Sequence, residues 1–155
     1  MRKALYACTY ALVAACVVIA DRLTKAYALQ NFYTPVVFNR FISAELVFNR
    51  GISWGMFTFE DQRFFMGISC LIIGVTLILA IYAFKRFCHD HVIIGETLVL
   101  AGALSNVADR FWYGGVIDFI VLSYGSWTFP VFNVADMCIV GGIGIMCLFS
   151  SSDDV

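Results

Sequence analysis

Four aspartates lie at or near the ends of long apolar stretches, where an ionised side chain is costly and is therefore a candidate for chemistry. They are Asp21, Asp109, Asp118 and Asp136. Asp118 and Asp136 have no lysine or arginine beside them, whereas Asp109 is followed at once by Arg110. Two close carboxylates at a partly dehydrated site cannot both ionise easily, so one can stay protonated as an acid while the other activates water. Such a pair could hydrolyse an amide without a metal ion or a covalent intermediate.

An asparagine precedes two of these aspartates by three residues. Asn106 with Asp109, and Asn133 with Asp136, have i, i+3 spacing, so each pair should share a helix face. Because the Arg110 guanidinium would keep Asp109 ionised, we interpret Asp109 as the more structural carboxylate. From the residues alone a second interpretation stays open, in which all of these carboxylates are helix caps and interfacial salt bridges.

Other catalytic chemistry has weaker support in the sequence. The two histidines, His89 and His91, lie in a polar segment with Cys88 and Asp90. Four potential ligands so close together cannot readily surround one zinc ion, so we interpret the segment as a hydrated loop. The other five cysteines lie in apolar runs, where a free cysteine behaves as a small hydrophobe, and no CxxC pair is present. We therefore predict no metal, no cofactor and no disulfide framework.

The composition shows which elements must position these residues. Hydrophobic residues make up 61% of the 155 residues and charged residues only 14%, against about 45–50% apolar residues in soluble domains. The mean hydropathy is +0.86. A water-soluble core of this size could not bury so much apolar surface, so the chain is predicted to be an integral membrane protein. The composition also excludes a disordered chain, and a net charge of −1 gives no general basis for binding nucleic acid.

The fold class predicted from the sequence is an all-α integral membrane protein with four transmembrane helices, formed by a single domain over residues 1–155. Each span needs roughly 17–25 predominantly apolar residues. The longer connections are rich in β-branched and aromatic residues and are interrupted by glycines, which predicts short strands and turns. Gly141, Gly142 and Gly144 indicate close helix packing. The predicted spans are about 4–20, 64–84, 92–111 and 132–149, and the longer connections are about 21–63 and 112–131.

The first span has a competing interpretation as a cleaved signal peptide. Arg2 and Lys3 precede the apolar run, and residues 13–16 resemble a lipoprotein cleavage box. The run continues to Ala20 and three further spans follow, which favours a retained helix.

The distribution of lysine and arginine in the loops predicts the orientation. Arg2, Lys3, Lys85 and Arg86 would all be cytoplasmic if the N-terminus is inside, and the connection 112–131 carries no basic residue. We therefore predict a multi-pass protein with both termini in the cytoplasm and with the aspartates toward the outer face.

Four sequence blocks together resemble a known family. They are "DRLTK" (21–25), "FNRGISWG" (48–55), "GALSNVADRFWYGGVIDFI" (102–120) and "FPVFNVADMCIVGG" (129–142). Their order and spacing are similar to those of the bacterial lipoprotein signal peptidases, also called signal peptidase II. The second block departs from the usual family form, NxGAAFS, because it carries the bulkier Ile52 and Trp54.

This resemblance implies an aspartic endopeptidase in the bacterial inner membrane. We also expect a monomer in contact with membrane lipids, without a cofactor, metal or nucleic-acid partner. Its substrates would be prolipoproteins, cut just before a diacylglyceryl-modified cysteine. The first outer loop would form a small β-rich extracytoplasmic cradle. By the same resemblance the catalytic residues are Asp118 and Asp136. The residues that match supporting positions of the family are Asp21, Lys25, Asn49, Gly51, Asn106, Asp109, Arg110, Asn133 and Ala135.

Two other classes of function remain to be distinguished. A proton-coupled transporter or channel could also use intramembrane aspartates. However, four short spans without an internal repeat provide little protein from which to build a transport pathway. An intramembrane protease of the presenilin type would carry a GxGD signature, but the sequence here is Gly115-Val116-Ile117-Asp118.

Overall fold

In the computed structural model, which describes residues 2–51 and 62–150, four helices support a small antiparallel sheet. This confirms a mostly helical architecture with a minor β-rich part. The helices are α1 (Arg2–Asn31), α2 (Gln62–Cys88), α3 (Ile94–Tyr113) and α4 (Val134–Ser150), and the strands are β1 (Val36–Val37), β2 (Ile42–Asn49), β3 (Val116–Tyr124) and β4 (Trp127–Thr128).

Helix α1 is longer than the predicted span. It continues through Asp21 to Asn31, so the prediction that the non-helical connection begins at Asp21 is wrong. The segment 21–31 is rich in Leu, Lys, Ala and Gln, which favour helix, and it contains neither glycine nor proline. The helix ends shortly before Pro35, because a proline disfavours helical backbone in the residue before it.

The end of α1 is fixed by a small apolar core under the sheet. Ala28 and Phe32 pack with Ala44 of β2 and Phe119 of β3, and all four are buried. The backbone supports the same junction, because the Leu46 N–H donates to the Phe32 carbonyl at 2.9 Å. The sheet is therefore anchored directly on the first helix.

The outer surface of the helices is apolar, as expected for a protein in lipid. Helices Lys3–Asn31 and Gln62–Cys88 are long and apolar enough to cross a membrane, and Val134–Phe149 is a shorter apolar helix. Large side chains point outward, with Leu12 65% and Ile78 69% exposed. Water would penalise such a surface, whereas a bilayer solvates it.

Helix α3 contacts each of the other helices and packs most closely against α4. A Cβ added to Gly102 would lie 2.6 Å from the Ala135 carbonyl oxygen, and one added to Gly142 would lie 2.6 Å from the Gly95 carbonyl oxygen. Glycine therefore allows the two backbones to approach each other. The predicted close packing holds for Gly142, but Gly141 and Gly144 face open space, with nothing within 4 Å of an added Cβ.

The sheet combines strands from both long connections, in the order β1-β2-β3-β4 with antiparallel neighbours. The sequence predicts strands in both long connections but a cradle formed by the first, whereas the sheet is built from both. Strand β3 pairs with β2 in a register that sets Val47 opposite Asp118 and Asn49 opposite Val116. This pairing brings Asn49 beside Asp118. Ile52 and Trp54, which depart from the family block, lie outside the described residues.

The packing of α4 predicts opposite effects for two alanine substitutions. Gly142→Ala should lower the melting temperature, because its methyl group would meet the Gly95 carbonyl oxygen and the Val99 side chain; overpacking of this kind costs about 1–3 kcal/mol. Gly144→Ala adds no contact and should leave the melting temperature unchanged or raise it, since alanine is favoured over glycine in a helix by up to ~1 kcal/mol. Thermal unfolding of both variants in one detergent tests this. Equal shifts would contradict the described α3–α4 contact.

Candidate active site

Asp118 and Asp136 lie on different elements but line the same cavity, which has a volume of about 670 Å³. Asp118 lies on β3 and is only 2% exposed, while Asp136 lies in the first turn of α4 and is half-buried. The structure therefore brings together the two carboxylates that sequence analysis selected. Among the residues described, neither forms an ion pair with a lysine, arginine or histidine.

Neutral amides, rather than cations, hold these two carboxylates. Asn49 Nδ2 donates to Asp118 Oδ2 at 2.9 Å, and Asn133 Nδ2 donates to Asp118 Oδ1 at 2.6 Å. Asn106 Nδ2 donates to Asp136 Oδ1 at 2.8 Å. Each contact fixes a carboxylate without supplying the positive charge that would lock it in the ionised form.

The orientation of two of these amides is set by groups that can only donate a hydrogen bond. The Gly51 N–H donates to Asn49 Oδ1 at 2.9 Å, and the Lys25 ammonium donates to Asn106 Oδ1 at 2.7 Å. Because the amide oxygens must face these donors, the NH₂ groups must face the aspartates.

Asn133 and Asp136 form a reciprocal cap at the start of α4. The Asp136 N–H donates to Asn133 Oδ1 at 2.9 Å, and the Asn133 N–H donates to Asp136 Oδ2 at 3.2 Å. This is a capping box, in which each side chain satisfies a backbone donor of the first turn. The predicted proximity of the pair is confirmed, although Asn133 precedes the helix instead of sharing its face.

A buried ionic cluster lies next to the two carboxylates. Lys25 Nζ is 2.7 Å from Asp21 Oδ2 and 2.7 Å from Asp109 Oδ2. Arg22 Nη1 is 2.7 Å from Asp109 Oδ1, and Arg22 Nη2 is 3.1 Å from Asp21 Oδ2. Lys25 is only 1% exposed and both aspartates are fully buried, but the two positive and two negative charges balance. Balanced pairing is what allows such charges to leave water.

Asp21 also connects this cluster to α4 and to α3. Its Oδ1 accepts a hydrogen bond from the Ala135 N–H at 2.9 Å, and its Oδ2 accepts one from the Ser105 hydroxyl at 2.7 Å. The first turn of α4, which carries Asp136, is thereby docked on α1. Sequence analysis missed Arg22 and Ser105, although the position of Arg22 directly after Asp21 was a signal that could have suggested its role.

Arg110 does not pair with Asp109, in contrast to the prediction from the sequence. The cationic partners of Asp109 are Arg22 and Lys25, not Arg110. Consecutive residues on a helix point in directions about 100° apart, and the Arg110 side chain turns away from Asp109 toward Gly51. Arg110 Nη2 instead donates to the Gly51 carbonyl at 2.7 Å, and Arg110 lines the cavity. Asp109 is nevertheless buried and ion-paired, and its interpretation as the more structural carboxylate stays a prediction.

The environment of Asp118 keeps its proton available near neutral pH. Burial of the side chain raises the pKa of Asp118 to about 7, and the nearby negative charge of Asp136 adds to this rise. Hydrogen bonds from Asn49 and Asn133, together with the charge of Lys25, act in the opposite direction without cancelling it. Two adjacent carboxylates can therefore share one proton here.

All of the predicted site residues belong to one continuous set of contacts. The Lys25 ammonium, which is paired with Asp21 and Asp109, donates to Asn106, and Asn106 donates to Asp136. Asn133 and Asn49 both donate to Asp118. The Gly51 N–H donates to Asn49, and the Gly51 carbonyl accepts a hydrogen bond from Arg110. Within residues 2–51 and 62–150, no group of three or more His, Cys, Asp or Glu side chains is placed to hold a metal ion.

Comparison with known proteins agrees with this arrangement. The family model described as signal peptidase (SPase) II matches residues 13–151. Lipoprotein signal peptidases of Burkholderia mallei (strain SAVP1) and Burkholderia pseudomallei (strain K96243) are 36% identical over 129 residues, which is 81% of this chain and 77% of theirs. The corresponding protein of Burkholderia cenocepacia (strain HI2424) is 35% identical over the same length.

Two solved structures, both described as bacterial membrane enzymes, have the same fold. They superpose with TM-scores of 0.73 and 0.72 at 27% identity, covering 94% and 95% of this chain and 90% and 94% of theirs. The family match extends over most of the chain and includes every residue of the contact set described above. The chain therefore belongs to the signal peptidase II family of membrane proteases.

Proposed function

We propose that this protein is an aspartic endopeptidase that removes signal peptides from prolipoproteins by cutting before a diacylglyceryl-modified cysteine. Family membership supports the substrate class and the reaction. The assignment as an aspartic peptidase is supported by the pair Asp118 and Asp136. The two side chains line one cavity and are held by neutral amides. The comparisons give no support to the alternative of a proton-coupled transporter.

In the proposed mechanism Asp136 is the base and Asp118 is the proton-bearing acid. Asp118 is only 2% exposed whereas Asp136 is half-buried, so the more enclosed carboxyl is the one proposed to keep the proton. Asp136 takes a proton from water, and the resulting hydroxide attacks the carbonyl carbon of the residue before the cysteine. Asp118 donates its proton to the developing oxyanion. The C–N bond then breaks as a proton passes to the leaving cysteine nitrogen.

Arg110 is proposed to position the substrate backbone. One guanidinium nitrogen, Nη2, is held by the Gly51 carbonyl, whereas Nη1 is buried and has no acceptor among the described residues. A buried donor without a partner is costly, so a substrate carbonyl in the cavity would stabilise it. Asn49, Asn106 and Asn133 keep the two carboxylates in place, and the cluster around Lys25 keeps Asn106 in place.

We propose four membrane spans with both termini in the cytoplasm and the site toward the outer face of the inner membrane. Lys3 pairs with Asp90 at 3.1 Å, which places the start of α1 beside the end of α2. This basic end lies at the opposite end of the helices from Asp118 and Asp136. Reporter fusions near His89 and after Val155 should both report a cytoplasmic location. A signal from outside at either position would refute this topology.

Lipid dependence is the direct test of the proposed function. The purified protein should cleave a diacylglyceryl-modified prolipoprotein and leave its unlipidated counterpart essentially uncut, because the acyl chains hold the scissile amide at the depth of the carboxylates. Mass spectrometry of the products locates the cut. Equal cleavage of both substrates, or a cut elsewhere than before the modified cysteine, would argue against the assignment.

Asp118→Asn and Asp136→Asn should each lose turnover by about 10²–10⁴-fold or more, because each removes one partner of the acid–base pair. Both variants should still insert in the membrane and lose less melting temperature than Asp109→Asn, since asparagine preserves the size of the side chain and exchanges one accepted hydrogen bond for a donor contact without leaving a buried cation unpaired. Turnover is measured on the lipidated substrate.

Asp109→Asn provides the matched comparison. It leaves Arg22 and Lys25 with too little negative charge in a buried site, and breaking a buried pair in this way typically costs 3–5 kcal/mol. It should therefore lower the melting temperature clearly, in contrast to the two catalytic variants. Near-normal turnover by Asp118→Asn would show that the wrong carboxylate has been assigned.

The raised pKa of Asp118 predicts how stability and activity change with pH. Between its unfolded value near 3.9 and its folded value of about 7, the folded protein binds more protons at this group than the unfolded chain does. Stability should therefore fall as pH rises through this range and level off above about pH 7. Turnover should also fall above about pH 7 as Asp118 loses its proton.

Asp118→Asn has no proton to lose at this position. Its melting temperature should therefore decline less than that of the wild type between about pH 5 and about pH 8. If the melting temperatures of the two proteins changed equally over this pH range, the assignment of the proton to Asp118 would be wrong.

A further inference from the structure

Phe65 on α2 is buried, although the residues beside it face outward. Its side chain is only 5% exposed, whereas Phe64 and Met66 are both more than half exposed. The Phe65 ring therefore points from the first turn of α2 toward the rest of the protein. The groups that it meets there are two guanidinium groups.

Two arginines from different elements lie over the Phe65 ring. The Cζ atom of Arg110, on α3, is 5.6 Å from the ring centroid, and the Cζ atom of Arg50, just after β2, is 5.3 Å from it. The negative face of an aromatic ring attracts a cation at such distances. Neither arginine forms an ion pair within residues 2–51 and 62–150, so the ring supplies attraction that a carboxylate would otherwise provide.

Arg50 also fixes the position of the ring. Its Nη2 donates to Gln62 Oε1 at 2.9 Å, and Gln62 precedes Phe65 by three residues in the same helix. Its Nε donates at 3.2 Å to the carbonyl of Gly114, which ends α3. Arg50 thus connects the start of α2 to the end of α3, the described element on which α2 mainly packs.

The ring attracts Arg110 without using its free donor. Arg110 Nη2 donates to the Gly51 carbonyl at 2.7 Å, while Nη1 is buried and has no acceptor among the described residues. A carboxylate at the position of Phe65 would accept a strong hydrogen bond from Nη1 and neutralise the charge. An aromatic ring accepts only a weak one. The donor therefore stays available to a ligand in the cavity.

The competing partners of Arg110 are the two carboxylates of the proposed acid–base pair. Arg110 lines the same cavity as Asp118 and Asp136 and interacts electrostatically with both. A guanidinium group that is free to move would be drawn to one of them, because charge-assisted arginine–carboxylate pairs are strong. Its positive charge would then favour the ionised pair over the pair that shares one proton. Arg110 must therefore be kept close to the two carboxylates but not paired with them.

We propose that Phe65 is a positioning residue that holds Arg110 beside Asp118 and Asp136 and prevents it from pairing with either of them. The inference rests on the proposed function, because its consequence is a proton kept on the acid–base pair. Phe65 does not line the cavity, so it acts through Arg110 and not on the substrate directly.

The pH dependence of kcat/KM separates this role from a purely structural one. It reports the essential acid and base of the free enzyme, in which Arg110 has no substrate to bind. The neighbouring side chain on β2, Asn49, is neutral. The charged side chains near Asp118 are Asp136 on α4, Lys25 on α1, and Arg110 and Asp109 on α3. Of these, Arg110 is the one that contacts Phe65, so a change at Phe65 reaches Asp118 through Arg110.

Phe65→Leu removes the ring but keeps a buried apolar side chain. Arg110 should then approach the two carboxylates, and an adjacent opposite charge lowers a carboxyl pKa by about 1–3 units. The midpoint at which kcat/KM for the lipidated prolipoprotein falls with rising pH should therefore move from about 7 to about 6 or lower. Phe65→Met also lacks the ring and should shift the midpoint in the same direction. Phe65→Tyr keeps the ring and should keep the wild-type midpoint.

Two controls identify the route of the effect. Phe84→Leu makes the same change on the same helix at a ring that is 67% exposed, and it should keep the wild-type midpoint. Phe65→Leu combined with Arg110→Gln should have the same midpoint as Arg110→Gln alone, because no cation is left to move.

Melting temperatures between about pH 5 and about pH 8 provide a readout that requires no turnover. A lower pKa of Asp118 narrows the range in which the folded protein binds more protons than the unfolded chain. The melting temperature of Phe65→Leu should therefore decline less over this range than that of the wild type, and Arg110→Gln should abolish this difference.

An unchanged midpoint in both Phe65→Leu and Phe65→Met, even with lower turnover or a lower melting temperature, would overturn the inference and leave the proposed function intact. A shift that persists in the Arg110→Gln background, or that occurs equally in Phe65→Tyr or Phe84→Leu, would also overturn it. If the wild type does not cleave the lipidated substrate, the proposed function itself fails, and this inference fails with it.

Discussion

The arrangement of the site depends on one buried ammonium group. Lys25 Nζ lies 2.7 Å from each of three acceptors, Asp21 Oδ2, Asp109 Oδ2 and Asn106 Oδ1, so all three of its donors are used. The charge is tolerated in a fully enclosed position because Asp21 and Asp109 balance Lys25 and Arg22. Removing any one member would leave a net charge without water around it, which is why the four residues act as a single unit.

Two separate systems hold the two candidate catalytic carboxylates. The ionic cluster positions Asp136, because Asp21 docks the first turn of α4 through the Ala135 N–H and Lys25 orients Asn106. The sheet positions Asp118, because the β2–β3 register brings Asn49 alongside it. Asn133 joins the two systems: its NH₂ group contacts Asp118, and its backbone and oxygen complete the cap with Asp136.

The helices, and the residues that the structure brings into one contact set, could largely be predicted from the sequence, because apolar runs and isolated carboxylates are local features. Three-dimensional relationships were harder to predict. The polar stretch after Asp21 is predicted to be a loop but is helical. Its sequence does not reveal that Lys25 can be buried, because part of the negative charge that balances Lys25 comes from Asp109 on another helix. Adjacency in sequence suggests that Arg110 pairs with Asp109, but in the structure Arg110 contacts Gly51 and Asp109 pairs with Arg22. The pairing of β2 with β3 joins residues 69 positions apart, as in the Asn49–Asp118 contact, and no local pattern reveals such a partner.

The enclosure of the Lys25 cluster has a consequence for the environment in which the protein works. Mobile ions weaken attractions between exposed charges over about 10 Å at 0.1 M salt, but they act much less on charges that solvent does not reach. Lys25, Asp21 and Asp109 are shielded in this way by the surrounding helices. The forces that orient Asn106 and dock α4 are thus largely independent of ionic strength. A membrane protein built in this way can keep its site assembled while the salt content of the adjoining medium changes.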